Sequence, residues 1–309
     1  MSEKQGVTKK TSIGGQALIE GIMMRGPQIT AMAVRHVSGE IIVEDWETEG
    51  QNKPRFMRLP FIRGIFNFID SMRYGYKCLM RSAELSGLEE AEEESKPLSG
   101  WVMNILMAVS AVVGIALAVV LFMWLPAFLF RLLIQAVPSL NTAVVRGVFE
   151  GVFRMLLFVG YIAVISLMKD IRRVFMYHGA EHKTIFCYEQ GLPLTVENIR
   201  TQSRFHPRCG TSFMILMLLV GMVVSMLIPD MNAWLRTAFK ILTLPLTVGV
   251  GYELIKLAGR KDNLFTRITS KPGIWMQHLT TREPDDSMIE CAIAAMEKVI
   301  PADAEADTW

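Results

Sequence analysis

The sequence predicts a mainly α-helical membrane protein with about four transmembrane helices, a small N-terminal β unit and cytoplasmic helices. Apolar residues make up 51% of the 309 residues, and they are bunched into runs. Residues 101–126 and residues 211–229 each contain no charged side chain. Because a helix needs ~20 apolar residues to cross the ~30 Å hydrocarbon core of a bilayer, both runs are long enough to span it.

Residues 1–56 are predicted to form a β-rich cytoplasmic unit. Two β-prone runs, residues 33–37 and residues 40–44, flank the pair Ser38-Gly39. Short β-prone runs around a glycine-containing pair are typical of a tight hairpin. We therefore expect at least one antiparallel strand pair near the start of the chain.

Residues 57–100 are predicted to be an amphipathic helix followed by an acidic linker, which has five glutamates in residues 89–95. Arginine and lysine side chains form one side of the helix. Apolar side chains at helical spacing form another side, and these are Phe61, Ile65, Phe68, Ile69, Met72 and Tyr76. The pattern allows two interpretations, a helix on the membrane surface or a helix docked on the core of the protein itself.

Residues 101–258 are predicted to be a four-helix transmembrane region that is interrupted by a cytoplasmic loop, residues 169–210. Residues 147–168 and residues 237–257 are the second and fourth spans in this prediction. The loop contains seven lysines and arginines, whereas each of the other two inter-span loops contains two. The positive-inside rule therefore predicts a multi-pass protein with this loop and both termini in the cytoplasm.

Three charged residues lie within or beside the predicted spans. Glu150 and Arg154 are four residues apart and therefore share one helical face, and Glu253 lies near the end of the fourth span. Ionisable groups inside a bilayer face protein or water, so these residues could line a polar path between helices. The alternative is that the second span begins later, so that Glu150 and Arg154 lie at the membrane interface.

Residues 259–309 are predicted to be a cytoplasmic helical tail. Asp285 and Asp286 are suited to cap a helix, and an apolar stripe at helical spacing follows them. We expect this stripe to pack on the rest of the cytoplasmic unit. The formal net charge of only +2 gives no reason to expect nucleic acid as a partner. The lipid bilayer is the expected partner.

A candidate metal site begins at His178-Gly179-Ala180-Glu181-His182. On a helix, His178 and His182 lie one turn apart, where two imidazoles can bind one zinc ion. Glu181 beside them is placed to act as a general base on water. The string matches the H-x-x-E-H pattern of inverzincins.

A second pair of candidate metal ligands lies in the same loop. They are His206 and Cys209, the first and last residues of the string His206-Pro207-Arg208-Cys209. Together the two strings have the ligand spacing of a four-coordinate zinc site. If all four side chains bind zinc, the site is closed and structural. If three bind, an open position is left for water and Glu181 can be catalytic. The third interpretation is that the histidines only form ordinary hydrogen bonds.

Four longer strings resemble the YqhQ-like family of bacterial membrane proteins. They are residues 13–27, 177–184, 206–212 and 279–286. The resemblance implies a protein of the bacterial cytoplasmic membrane that contains a domain of unknown function. Members of this family are at times labelled predicted metal-dependent enzymes.

These observations together predict a membrane-bound, zinc-dependent hydrolase. In this prediction His178 and His182 bind zinc with His206 or Cys209, and Glu181 is the base. The alternative is a non-enzymatic membrane scaffold or transport component with a structural metal site. An enzyme should show an incomplete metal shell beside Glu181, and a scaffold should show a filled one.

Overall fold

A computed structural model describes residues 10–48, 54–88, 100–207, 209–260, 264–302 and 307. The chain begins with an antiparallel sheet of β1 (Gly14–Leu18), β2 (Gly21–Arg25), β3 (Ile29–Arg35) and β4 (Ile41–Glu47), in the order β1-β2-β3-β4. The predicted hairpin is confirmed, since Arg35 pairs with Ile41 on either side of the turn. Gly39 has φ of 91° in this turn, a conformation that glycine adopts without strain.

The rest of the described chain is mainly helical. A 3₁₀ turn at Arg55–Arg58 precedes the first helix, and a π-helical segment, Val120–Trp124, joins the second helix to the third. The α-helices are α1 (Ile62–Ser86), α2 (Gly100–Val119), α3 (Leu125–Ala136), α4 (Ala143–Ile165), α5 (Lys169–Glu189), α6 (Val196–Arg200), α7 (Gly210–Leu227), α8 (Ala233–Leu242), α9 (Leu244–Arg260), α10 (Leu264–Thr280) and α11 (Asp286–Val299).

Two helical segments in the described ranges are long and apolar enough to cross a membrane. One is the 36-residue segment Trp101–Ala136, which includes α2, the π-helical segment and α3, and the other is α4 with 23 residues. The third predicted span is the shorter apolar helix Phe213–Leu227 within α7. The fourth is divided between α8 and α9, because Pro245 lies in the first turn of α9 and has no N–H to continue a helix. The four-span count therefore stays a prediction.

Glu150 of α4 is buried in an ion-pair network between apolar helices. Its carboxylate accepts hydrogen bonds from Arg236 Nε at 2.8 Å and Ser225 Oγ at 2.7 Å. Lys240 Nζ lies 2.8 Å from the same carboxylate. The opposite charges and the hydroxyl group compensate for the loss of water around Glu150.

The other two charged residues of the predicted polar path belong to different contacts. Arg154 donates from Nε to the carbonyl oxygen of Phe122, in the π-helical segment, at 2.8 Å. Glu253 accepts a hydrogen bond from Arg63 Nε of α1 at 2.7 Å. Among the described residues, Glu150, Arg154 and Glu253 therefore do not share one hydrogen-bonded path.

The sheet packs on α5 and α11 around one hydrophobic core. Ile22 and Met24 of β2 and Ala33 of β3 contribute to it from the sheet. From α11 the core takes the buried residues Met288, Ile289, Ala292, Ala295, Met296 and Val299. The capping predicted for this helix is present, because the Asp285 side chain accepts a hydrogen bond from Met288 N at 3.0 Å. The core therefore holds α5, and the candidate metal ligands on it, against the sheet.

Candidate metal centre

The His178–His182 string lies within α5, so its two histidines occupy successive turns of one helical face. Their ring centroids are 4.4 Å apart. Gly179 is required between them because residues 279–286 cross α5 at this point. A Cβ atom at position 179 would overlap the carbonyl oxygen of Arg282. The glycine therefore lets a distant segment of the chain reach the site.

His178, His182 and Cys209 form a group that could hold a metal ion. One ligand atom of each residue lies within 4.8 Å of the other two. His178 Nε2 is 3.2 Å from Cys209 Sγ. All three side chains are buried or largely buried. Three ligand atoms this close together could hold one metal ion, and a tetrahedral ion bound by three protein ligands has one open position.

The hydrogen bonds of the two histidines fix the tautomers that metal binding needs. His178 Nδ1 lies 2.8 Å from the carbonyl oxygen of Thr280, and His182 Nδ1 lies 2.6 Å from that of Arg204. A carbonyl oxygen only accepts, so both Nδ1 atoms carry the proton. Both Nε2 lone pairs are then directed elsewhere and available to a metal, the arrangement usual for metal-binding histidines. The residues therefore fit a metal ion.

The third ligand, Cys209, is held at the start of α7. As the N-cap residue of this helix, its Sγ accepts from Thr211 N at 3.4 Å and from Thr211 Oγ1 at 3.3 Å. These contacts hold the Cys209 sulfur beside His178 Nε2, at a distance of 3.2 Å.

His206, the other predicted ligand, lies beside the group rather than in it. Its ring is 5.7 Å from the ring of His182, and its Nε2 lies 3.4 Å from Glu189 Oε2. The backbone explains this position, because Gln277 of α10 accepts from His206 N at 2.8 Å and donates to its carbonyl oxygen at 2.7 Å. The structure therefore brings together three of the four predicted ligands.

Glu181 is next to this group and almost completely buried. Its Oε2 lies 3.8 Å from His178 Nε2, and its carboxylate accepts a hydrogen bond from the backbone N–H of Gly15. Burial raises the pKa of the Glu181 carboxyl group, although the neighbouring His178 and His206 oppose the shift. Burial therefore favours the protonated form of Glu181 over the ionised form.

The second residue of β1 is a glycine because the strand passes close to Glu181 at this point. A Cβ atom at Gly15 would lie 2.7 Å from Cγ of Glu181 and 2.9 Å from the carbonyl oxygen of Met23. A side chain at this position would push β1 away from α5. Only glycine therefore lets the strand cover Glu181 and donate to its carboxylate.

Burial also keeps His182 and His206 neutral. It lowers the pKa of His182, and the nearby His178 lowers it further. Burial lowers the pKa of His206 to about 4, against the opposing charge of Glu181. Neutral imidazole is the form that binds metals. No proton therefore has to leave His182 before it can act as a ligand near neutral pH.

The segment 279–286 is bound to α5 and to the loop after it by charged groups. Glu283 pairs with Lys183 at 2.8 Å and with Arg204 at 3.3 Å. Arg204 also donates to the carbonyl oxygen of Thr281. Reasoning from the sequence missed the roles of Gly15, Arg204 and Thr280, because all three act on the site through backbone atoms. Gly15 and Thr280 lie in two of the four strings, whereas Arg204 lies outside them.

A sequence profile described as "Protein of unknown function (DUF1385)" matches residues 59–302. The chain is also similar to a protein named "Uncharacterized protein YqhQ" from Bacillus subtilis (strain 168). The two are 37% identical over 300 residues, which cover 94% of this chain and 93% of the other. No solved structure matches the chain. These similarities confirm the resemblance of the four strings.

Proposed function

Because the chain belongs to the DUF1385 family, whose function is unknown, its activity has to be inferred from the site, and we propose that it is a membrane-bound, zinc-dependent hydrolase. One observation carries this proposal. Three metal-ligating atoms lie within 4.8 Å of one another, and Glu181 is buried beside them. An incomplete ligand set next to a carboxylate is the arrangement of catalytic zinc sites, whereas structural sites have four protein ligands.

The donor set favours zinc over harder cations. Two imidazoles and one thiolate suit zinc, whereas magnesium and calcium prefer oxygen ligands. His178, His182 and Cys209 would hold the ion. When bound, zinc would act as a Lewis acid and would lower the pKa of water toward neutrality.

Glu181 is the proton-transferring residue of the proposed reaction. Its carboxylate takes a proton from the attacking water and returns it to the leaving group of the substrate, so that water is added across the cleaved bond. The N–H of Gly15 fixes the carboxylate, and the carbonyl oxygens of Thr280 and Arg204 fix the two imidazoles. Each of these groups is in place before a substrate binds.

The proposed location is the cytoplasmic face of the bacterial cytoplasmic membrane, with several spans and both termini inside. Two observations support it. The α5 helix begins four residues after the apolar helix α4 ends at Ile165, and Cys209 directly precedes the apolar helix α7. The site therefore lies between segments suited to a bilayer, in the loop that is rich in lysine and arginine.

A second candidate is a non-enzymatic scaffold or transport component in which the metal is structural. One observation favours it, because Glu181 is only 5% exposed and His182 only 1% exposed. A substrate would have to reach these residues past the partly exposed side chain of His178. The two candidates differ in whether Glu181 matters for anything beyond folding.

The test combines metal content with turnover for the detergent-purified wild type, His178→Ala and Glu181→Gln. Elemental analysis should find about one zinc ion per chain in the wild type and in Glu181→Gln, and much less in His178→Ala. The wild type should hydrolyse at least one substrate in a panel of chromogenic esters, phosphodiesters and amides. Glu181→Gln should lose this activity by about 100-fold or more.

Two results would overturn the hydrolase proposal. Wild-type protein that binds no zinc after purification in its presence would remove the metal centre. Equal turnover in the wild type and Glu181→Gln would remove the role of the carboxylate. Zinc that is bound without turnover on any member of the panel would favour the structural role.

A further inference from the structure

The α1 helix packs on the protein with its small side chains. Its buried residues are Gly64, Gly75, Cys78, Ser82 and Ser86. A Cβ atom at Gly64 would lie 2.6 Å from the Tyr252 side chain, and one at Gly75 would lie 2.7 Å from that of Gln16. The side of α1 that packs on the protein is therefore not the apolar stripe that the sequence predicted.

The apolar stripe of α1 is exposed. Ile69, Met72 and Tyr76 are 52%, 59% and 61% exposed, and they lie on one side of the helix at spacings of three and four residues. Phe61, Phe68 and Met80 extend this exposed stripe along the helix. The α1 helix does dock on the core of the protein, because Cys78 is buried in a core cluster and Leu79 and Leu85 pack against this cluster. The stripe is nevertheless exposed, so a helix on the membrane surface stays a prediction. A contiguous exposed apolar surface of this kind marks an interaction site.

A basic side lies next to the exposed stripe. Residues 55–86 contain six lysines and arginines and two acidic residues, which leaves a net charge of +4. Arg73 and Lys77 are exposed on the helix itself, about 100° and about 140° around the helix axis from Met72. An apolar stripe flanked by cationic side chains is typical of helices that lie in the surface of an anionic membrane.

The position of α1 relative to the apolar helices supports this partner. The ring of Phe68 contacts that of Phe213, near the start of α7, with centroids 6.3 Å apart. Phe61, directly before α1, also contacts α9, because its carbonyl oxygen lies 2.7 Å from the place where a Cβ of Gly249 would be. The exposed stripe therefore continues the apolar surface of helices α7 and α9. The metal ligand Cys209 caps the same end of α7.

We propose that α1 is an interfacial helix whose exposed stripe inserts into the cytoplasmic leaflet of the bilayer, with its basic side on anionic phospholipid headgroups. The inference rests on the membrane location in the proposed function. It adds that the bilayer surface itself is a binding partner of the cytoplasmic unit. On the protein side, Gly75 of α1 contacts Gln16, the neighbour of the Gly15 that covers Glu181. Strand β1 therefore lies between the interfacial helix on one side and Glu181 on the other.

The test places an environment-sensitive fluorophore at single positions of the full chain in lipid nanodiscs. Met72→Cys reports on the exposed stripe, Glu84→Cys on a position of α1 outside the stripe, and Val112→Cys on the exposed surface of α2. The four native cysteines are buried, so a thiol-reactive nitrobenzoxadiazole probe should label the introduced residue selectively. Nitroxide-bearing phospholipids with the spin label at shallow or deep positions serve as quenchers.

The proposal predicts blue-shifted emission at position 72, quenched most by the shallow spin label in nanodiscs that contain phosphatidylglycerol. Position 84 should emit as in water, and position 112 should be quenched by the deep spin label. Arg73→Glu combined with Lys77→Glu should reduce the quenching at position 72 by about twofold or more, since the anionic headgroups no longer attract the helix.

Water-like emission at position 72 with quenching at position 112 would overturn the interfacial helix and leave the membrane location standing. Water-like emission at both positions would overturn both proposals. Blue-shifted emission at position 72 that no spin-labelled lipid quenches would also overturn the proposal, because the stripe would then be covered by protein.

Discussion

At the scale of single residues, the glycines near the metal centre show how tightly the chain is packed around Glu181. Gly15 contacts the Glu181 side chain, whereas nothing lies within 4 Å of the place where a Cβ of Gly14 would be. We therefore expect an alanine to be tolerated at position 14 and to disturb the packing at position 15.

We predict that Gly15→Ala lowers the free energy of unfolding by about 1–3 kcal/mol, because the added methyl group forces β1 away from α5. It should also lower hydrolytic activity by displacing Glu181, while bound zinc is retained. Gly14→Ala is the matched control and should behave like the wild type. Thermal denaturation measures the stability, turnover measures the activity, and elemental analysis measures the bound zinc. Equal behaviour of the two variants would contradict the packing described for Gly15.

Cys291 illustrates a thiol that is buried rather than functional. Burial raises the pKa of Cys291 to about 11. Since the thiolate is the reactive form, we predict that iodoacetamide at pH 8 leaves Cys291 unmodified in the folded protein and alkylates it after denaturation. Peptide mass spectrometry measures both states. Rapid alkylation in the folded protein would show that α11 does not pack on the sheet as described.

The sequence predicted which side chains lie near one another better than which of them form the group that could hold a metal ion. Helical spacing was enough to place His178, Glu181 and His182 together, because α5 is a regular helix. The choice between His206 and Cys209 could not be predicted. It depends on Gln277, which holds the His206 backbone from a helix 71 residues further along the chain.

At the scale of elements, the π-helical segment Val120–Trp124 accommodates charges among apolar helices. Two carbonyl oxygens of this segment accept hydrogen bonds from charged side chains. That of Phe122 accepts from Arg154 Nε, and that of Met123 accepts from Lys240 Nζ at 3.3 Å. A π-bulge interrupts the regular helical hydrogen-bonding pattern and is frequent at functional sites. The sequence predicted the charges of α4 but not their partners, since Arg236 and Lys240 lie on α8.

The network around Glu150 gives a prediction for these elements. Arg236→Ala should lower the free energy of unfolding by about 3–5 kcal/mol, because it leaves buried Glu150 without a main partner. Arg131→Ala, at an exposed position of α3, is the control and should have little effect. Thermal denaturation in detergent compares the two variants. A midpoint for Arg236→Ala equal to that of the control would contradict the network.

The β unit was more predictable than the membrane region. Alternating β-prone runs and Ser38-Gly39 indicated the hairpin because the turn and both strands are adjacent in the sequence. The span count depends on where helices break, and composition alone does not show that α8 ends at Leu242 and α9 begins at Leu244.

At the scale of the whole molecule, the metal centre depends on segments from nearly the whole length of the chain. Gly15, residues 178–182, Arg204, Cys209 and residues 280–283 all meet around α5. The two ends of the chain are also joined. Asp307 accepts hydrogen bonds from Thr11 Oγ1 at 2.6 Å and from Ser12 N at 2.8 Å. These contacts could not be predicted from the sequence, because they join residues almost 300 positions apart.

This contact between the chain ends predicts a pH-dependent stability. Burial opposes ionisation of Asp307, but the hydrogen bonds from Thr11 and Ser12 outweigh it and lower the pKa of Asp307 below 3.8. A lowered carboxyl pKa stabilises the fold above the unfolded value, and the stabilisation is lost as the pH falls through the folded value.

Asp307→Asn should therefore lower the free energy of unfolding by about 1–3 kcal/mol at pH 7. The difference from the wild type should shrink as the pH falls below 3.8, because the unfolded wild-type chain is protonated at Asp307 first and the folded protein only at a lower pH. Chemical denaturation of both proteins across this range measures the effect. A difference that is independent of pH would contradict the ionised contact.

The central claim is a metal centre built from two histidines and one cysteine, with Glu181 beside it. Zinc-edge X-ray absorption spectroscopy of the zinc-loaded protein tests this claim most directly. We predict one sulfur ligand at about 2.3 Å, two imidazole nitrogens at about 2.0 Å and one further light atom. The His206→Ala variant should give the same spectrum, and Cys209→Ala should lose the sulfur. Three imidazoles around the zinc, a spectrum without sulfur, or failure to bind zinc would contradict the account.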